Sequence, residues 1–206
     1  MTLNLGVLAS GRGTNLLAIL AAAAGGEIPA RVRVVISDRA GAPALELARS
    51  RGIPAFFLDP GPAGKAAFES RVVSRLEEHG VDLVCLAGFM RVVGRTLLDR
   101  YAGRILNIHP SLLPAFPGLD AQRQAWEYGV KVAGCTVHFV DRGVDAGPII
   151  LQRAVTVSEG DTPETLGARI LEEEHRAYPE AIRLFAEKRL VLEGRRVKVG
   201  EGERGT

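Results

Sequence analysis

Between Leu3 and Leu86 short apolar runs alternate with longer segments of helical composition, an order that few architectures accommodate. Leu3 to Ala9 ends at Ser10-Gly11-Arg12-Gly13-Thr14 and is followed by the alanine- and leucine-rich stretch Asn15 to Ala24, which reads as strand, turn and helix. Arg31 to Ser37 is β-branched and short, Pro43 to Arg51 has helical composition with Gly52 as its stop, and Pro54 to Leu58 is another short apolar run. From Lys65 to His79, Phe68, Val72 and Leu76 stand four apart on one helical stripe, and Gly80 stands where a left-handed cap belongs. Val81 to Leu86 then reads as a buried strand. Strands alternating with helices imply an α/β fold with a mostly parallel sheet, in which ligands bind beyond the carboxyl ends of the strands.

The second half changes character. Arg104 to Ile108 is a short apolar run leading into a loop with Pro110, Pro114 and Pro117. A helical stretch around Ala121 to Tyr128 precedes two long strands, Lys131 to Val140 and Pro148 to Val157. Their connection, Asp141 to Gly147, is too short for a helical crossover, so they pair antiparallel. Asp161 or Thr162 with Pro163 opens a final long helix that Pro179 is expected to bend or divide. A strand-like tail runs from Leu190 to Val199.

With 206 residues, 47% of them hydrophobic and 24% charged, the chain suits a single domain over residues 1–206. A net charge of +2 gives no strong field for nucleic acid or membrane, and neither is an expected partner. A monomer or homodimer acting on small molecules is expected. Cys85 and Cys135 lie among apolar neighbours, as buried thiols of a reducing compartment do. No uncharged run approaches the roughly 18 residues of a membrane span, and the N-terminus lacks a signal-peptide pattern, so a cytoplasmic location is expected.

Three segments carry candidate chemistry. In Ser10-Gly11-Arg12-Gly13-Thr14-Asn15, small residues between strand and helix let backbone N–H groups approach an anion at a helix N-terminus; a tight turn with an N-cap is the alternative. In Asn107-Ile108-His109-Pro110-Ser111-Leu112-Leu113-Pro114, period-two spacing turns Asn107 and His109 to one side, an amide donor beside a titratable ring; a structural histidine is the alternative. Asp141-Arg142-Gly143-Val144-Asp145-Ala146-Gly147-Pro148 is either a plain hairpin loop or a source of a carboxylate. If Asp145 lies beside His109, it favours the imidazolium and raises the histidine pKa. His79, His109, His138 and His175 show no metal-ligand spacing, and no metal is expected; His138 and His175 read as structural.

With Leu86-Ala87-Gly88-Phe89-Met90-Arg91 added, these segments resemble the phosphoribosylglycinamide formyltransferase family, and the strings AGFMR, YAGR, LNIHPSLLP, PG, HFV and GPIILQ follow in family order. The resemblance implies a mixed, mostly parallel seven-stranded sheet with a Rossmann-like, nucleotide-binding N-terminal half and a folate-binding C-terminal half. It implies transfer of the formyl group of 10-formyltetrahydrofolate, a cosubstrate, to the amino group of glycinamide ribonucleotide (GAR) in purine synthesis. Asn107, His109 and Asp145 match the family's catalytic trio, and Gly13, Thr14, Asn15 and Glu174 its contacts to GAR. Lys65, Met90, Arg91, Val92, Val93, Asn107 and Asp141 match its contacts to the folate. Lys65 replaces a frequent arginine, which keeps the charge but not the planar fork.

That reaction asks for donors where negative charge develops on the formyl oxygen. Asn107 and protonated His109 are suited to this, and Asp145 to ordering a proton-relay water. Three rivals carry other expectations. A formyltetrahydrofolate hydrolase resembles the family but adds an N-terminal regulatory domain. A methionyl-tRNA formyltransferase adds a C-terminal barrel. A non-enzymatic nucleotide-binding module has no use for the trio.

Overall fold

A computed structural model of the chain describes residues 2–200, and its contacts divide into two compact units, one running to Asn107 and the other starting at Ile108. In the first unit the alternation read from the sequence is realised as β1 (Leu3–Leu8), α1 (Thr14–Ala24), β2 (Ala30–Ser37), α2 (Pro43–Arg49), β3 (Ala55–Phe57), α3 (Gly64–Glu78) and β4 (Leu83–Leu86), then α4 (Arg95–Arg100) and β5 (Ile105–His109), which passes into the second unit. The strands run in the order β3-β2-β1-β4-β5, each pair parallel. Chain direction across the sheet reverses between β1 and β4, the switch point at which loops diverge and leave a crevice. Leu5, Val7, Val35, Leu83 and Leu106 are fully buried, as the near-continuous apolar runs of a covered parallel sheet require. The stripe Phe68, Val72 and Leu76 buries one face of α3, and Gly80 follows it at φ 60. The short α4 was not anticipated, since six residues present less than two turns of periodicity.

The second unit holds α5 (Ala121–Tyr128), β6 (Val132–Phe139), β7 (Ile149–Thr156), α6 (Pro163–Ala186), β8 (Leu190–Glu193) and β9 (Arg196–Val199), with strand order β6-β7-β9-β8. The expected antiparallel pair is β6 and β7. Nine strands are present among the described residues rather than seven. The tail is not one strand but a hairpin, because Gly194 at φ 59 supplies the left-handed turn that a two-residue connection needs. Thr162 caps α6: its hydroxyl accepts from Thr165 N–H, Thr165 Oγ1 accepts from Thr162 N–H, and Pro163 fills the first turn.

Pro179 does not divide α6, which runs unbroken over 24 residues. The lost backbone bond and ring clash cost about 3 kcal/mol. Ala177, Tyr178, Ala181 and Ile182 around it are fully buried, in a helix packed on β6 and β7. Two large buried side chains, each contributing about 1.5–3 kcal/mol, are sufficient to offset the break.

Candidate active site

In the first unit the loops at the carboxyl ends of β1, β2 and β4 are tied through Ser10. Its hydroxyl donates to Asp38 Oδ1 at 2.6 Å and accepts from Met90 N–H at 2.9 Å, and its own N–H donates to Gly88 O. Gly13 precedes α1 at φ 79, and an added Cβ would lie 3.0 Å from Ala44, so both backbone conformation and close packing require glycine. No side chain caps α1, so its first N–H groups lack the cap that the plain-turn alternative supposed. Thr14 is half-buried and Asn15 buried in its first turn.

The segment after β4 borders a small pocket lined by Lys65, Phe68, Glu69, Arg91, Val92 and Val93. Val93 is buried, whereas Met90 and Val92 are 54% and 55% exposed, large apolar surfaces left open to a ligand. Arg91 lies over the Phe68 ring, 5.3 Å from its centre. Lys65 and Arg91–Val93 are therefore brought together in the first unit, whereas Met90 does not line the pocket.

Strand β5 carries Asn107 and His109 at alternate-residue spacing, Asn107 half-buried and His109 buried. In the second unit His109 Nδ1 lies 3.3 Å from Asp145 Oδ2, and its Nε2 lies 2.8 Å from the carbonyl oxygen of Phe116. Carbonyl and carboxylate oxygens only accept, so both ring nitrogens face acceptors. Asp145 Oδ2 also accepts from Gly118 N–H at 2.8 Å, and its Oδ1 faces His138 Nε2 at 3.7 Å. Burial works to raise the Asp145 pKa, but the contacts with His138 and Gly118 and the attraction of His109 outweigh it and hold the carboxyl below its usual range.

The loop after β5 is fixed by residues the sequence did not single out. The Thr136 hydroxyl, fully buried, donates to Ser111 O at 2.6 Å and accepts from Leu113 N–H at 3.0 Å and Gln152 Nε2 at 2.9 Å. Gln152 also donates to Leu113 O. The alternation of β6 and β7 placed both on pairing strands, Thr136 opposite Gln152, but Thr136 belongs to no motif and Gln152 enters only as the last residue of the string GPIILQ. His138, read as structural, faces Asp145. Asp141 accepts from Gly143 N–H at 2.9 Å and shapes its own turn. Glu174 is buried on α6; after burial, its charge is the next cause pushing the Cys135 thiol up to about 12. His175 Nε2 is buried without a hydrogen-bond partner, and burial lowers its pKa. Among the described residues there is no cluster able to hold a metal ion, and no helix is long and apolar enough to cross a membrane.

A parallel sheet with a reversal beside β1 in the first unit, and a buried histidine at the end of β5 facing Asp145 in the second, are features of an α/β enzyme, and comparison with known proteins specifies it. The formyl transferase family matches residues 3–182. A phosphoribosylglycinamide formyltransferase of Bacillus subtilis is 48% identical over 178 residues, 86% of this chain and 91% of the relative. The crystal structure of glycinamide ribonucleotide transformylase 1 from Symbiobacterium toebii superposes with a TM-score of 0.95 at 63% identity, covering 97% of this chain and 95% of that one. A formyltetrahydrofolate deformylase from Pseudomonas syringae superposes at 0.91 with 28% identity, over 98% of this chain but 67% of the other. The chain belongs to the formyl transferase family and is a transferase. Within that family it falls among the phosphoribosylglycinamide formyltransferases.

Proposed function

We propose that the protein transfers the formyl group of 10-formyltetrahydrofolate to the amino group of GAR in purine synthesis. The observation that carries this reading is the pairing of His109 with Asp145 two residues beyond Asn107 on β5. Asn107 donates a hydrogen bond where charge develops on the formyl oxygen, and protonated His109 donates a second once its Nε2 exchanges Phe116 O for that oxygen, which lowers the barrier. Asp145 keeps Nδ1 protonated and orders the water that moves a proton from the attacking amine to the folate nitrogen it leaves. Gly13, Thr14 and Asn15 bind GAR through the start of α1, and Glu174 holds its amine side.

The side chains bordering the pocket match the folate in chemical character. Phe68, Val92 and Val93 offer apolar surface to a flat ring system, while Lys65 and Arg91 offer cations to a carboxylate tail. Bound there, the cosubstrate supplies an activated formyl group. Asp141 shapes the turn before Asp145.

Release of tetrahydrofolate, followed by absorbance with and without GAR, tests the proposal. Release that depends on GAR supports it. Release into water without GAR makes the protein a hydrolase like the Pseudomonas deformylase, and no release under either condition removes the reading.

A further inference from the structure

Glu69 is an acidic side chain on α3 and is only 4% exposed. Among the described residues its carboxylate forms no ion pair; it accepts from two backbone N–H groups of the chain after β4. Oε1 accepts from Gly94 and Oε2 from Leu97, at 3.3 Å for the second. These are opening N–H groups of α4, whose own boundary residue, Gly94, has no side chain to cap them. The approach is close enough that a Cβ on Gly94 would lie 2.7 Å and 2.9 Å from the two carboxylate oxygens and 2.6 Å from Lys65 Cε.

The four residues just before this anchor are Met90, Arg91, Val92 and Val93. Three of them line the pocket that also includes Phe68 and Lys65, neighbours of Glu69 on α3. Met90 is held at the other end by Ser10. Met90 and Val92 are exposed and add little packing, so beside buried Val93 and the Arg91–Phe68 contact the course of the segment depends on these two anchors.

We propose that Glu69 is a positioning residue for the folate: by binding Gly94 and Leu97 it fixes the path of Met90–Val93 against α3. This rests on the reading that those residues line the folate pocket. Loss of a charged acceptor for one buried and one part-buried N–H group is worth about a tenfold change in an affinity that depends on them.

The test is steady-state kinetics of E69Q, which keeps the shape but replaces one acceptor with a donor, alongside G94A and R91A, well below each Tm. The expected result is a KM for 10-formyltetrahydrofolate raised about tenfold in E69Q and in G94A, with the KM for GAR within about twofold of the parent. E69D, which retains both acceptor oxygens, should recover part of the loss. A carboxylate that serves stability alone would lower Tm and leave both KM values in place, and that outcome overturns the proposal. R91A separates the two ideas. If it raises the folate KM while E69Q and G94A do not, only the role of Glu69 fails; if R91A also leaves it unchanged, the folate reading of the pocket fails.

Discussion

His109 is held between Asp145 and the carbonyl of Phe116, with Nδ1 3.3 Å from Asp145 Oδ2 and Nε2 2.8 Å from Phe116 O. Phe116 adopts φ 51 and Asp145 φ 48, left-handed conformations that non-glycine residues hold only when their surroundings fix them. Two strained residues meeting one buried ring mark where the fold gives up local comfort for geometry. His109→Ala should therefore lower kcat about a hundredfold to a thousandfold, measured as tetrahydrofolate release well below the Tm of the variant. Near-full turnover in that variant would remove His109 from the chemistry.

The lowered pKa of Asp145 has a pH signature. Because its folded value lies below the unfolded one, its ionised contacts contribute stability at pH above the ordinary carboxylate range. That contribution is lost as the pH falls through the lowered folded value. The urea midpoints of the parent and Asp145→Asn should differ at pH 5 and converge below about pH 4. A gap that stays constant down to pH 3 would mean the contacts do not favour the ionised form.

Gly147 sets where the Asp145 loop rejoins β7. A Cβ there would stand 1.8 Å from the carbonyl oxygen of Phe139 and 2.9 Å from its carbon. Backbone must move to admit it, so Gly147→Ala should destabilise by about 1–3 kcal/mol or more and lower Tm by several degrees. Since the shift falls two residues from Asp145, kcat should fall with it. A variant with parental Tm and kcat would show that the loop tolerates the displacement.

Thr136 makes one donated and two accepted hydrogen bonds, the full capacity of a hydroxyl. Thr136→Val keeps the volume and leaves Leu113 N–H without its acceptor, at a cost of about 1–3 kcal/mol. Chemical denaturation should show the loss, and hydrogen exchange at Leu113 should accelerate. Unchanged exchange would assign the loop's order to its prolines instead.

Period and punctuation were enough to read most elements from the sequence. The runs of β1, β2 and β4, the stripe of α3 with Gly80 behind it, and the Thr162-Pro163 start of α6 are local signals, each written within about fifteen residues. The roles of Asn107, His109 and Asp145 came from resemblance alone; spacing put Asn107 and His109 on one strand, and only the fold set Asp145 beside His109. Elements shorter than the repeat that reveals them were not legible: α4 spans six residues, and the turn at Gly194 split what looked like one strand.

What tertiary structure alone decided is which distant groups meet. No local rule connects Glu69 to the amide of Gly94, Thr136 to Leu113, or His138 to Asp145, since each pair is joined only after strands and helices have packed. Nor could composition tell that burial around Pro179 would keep α6 whole. The physical reason is common to all of them. Backbone preference acts over a few residues, whereas desolvation and hydrogen-bond satisfaction act on whatever the fold brings into contact.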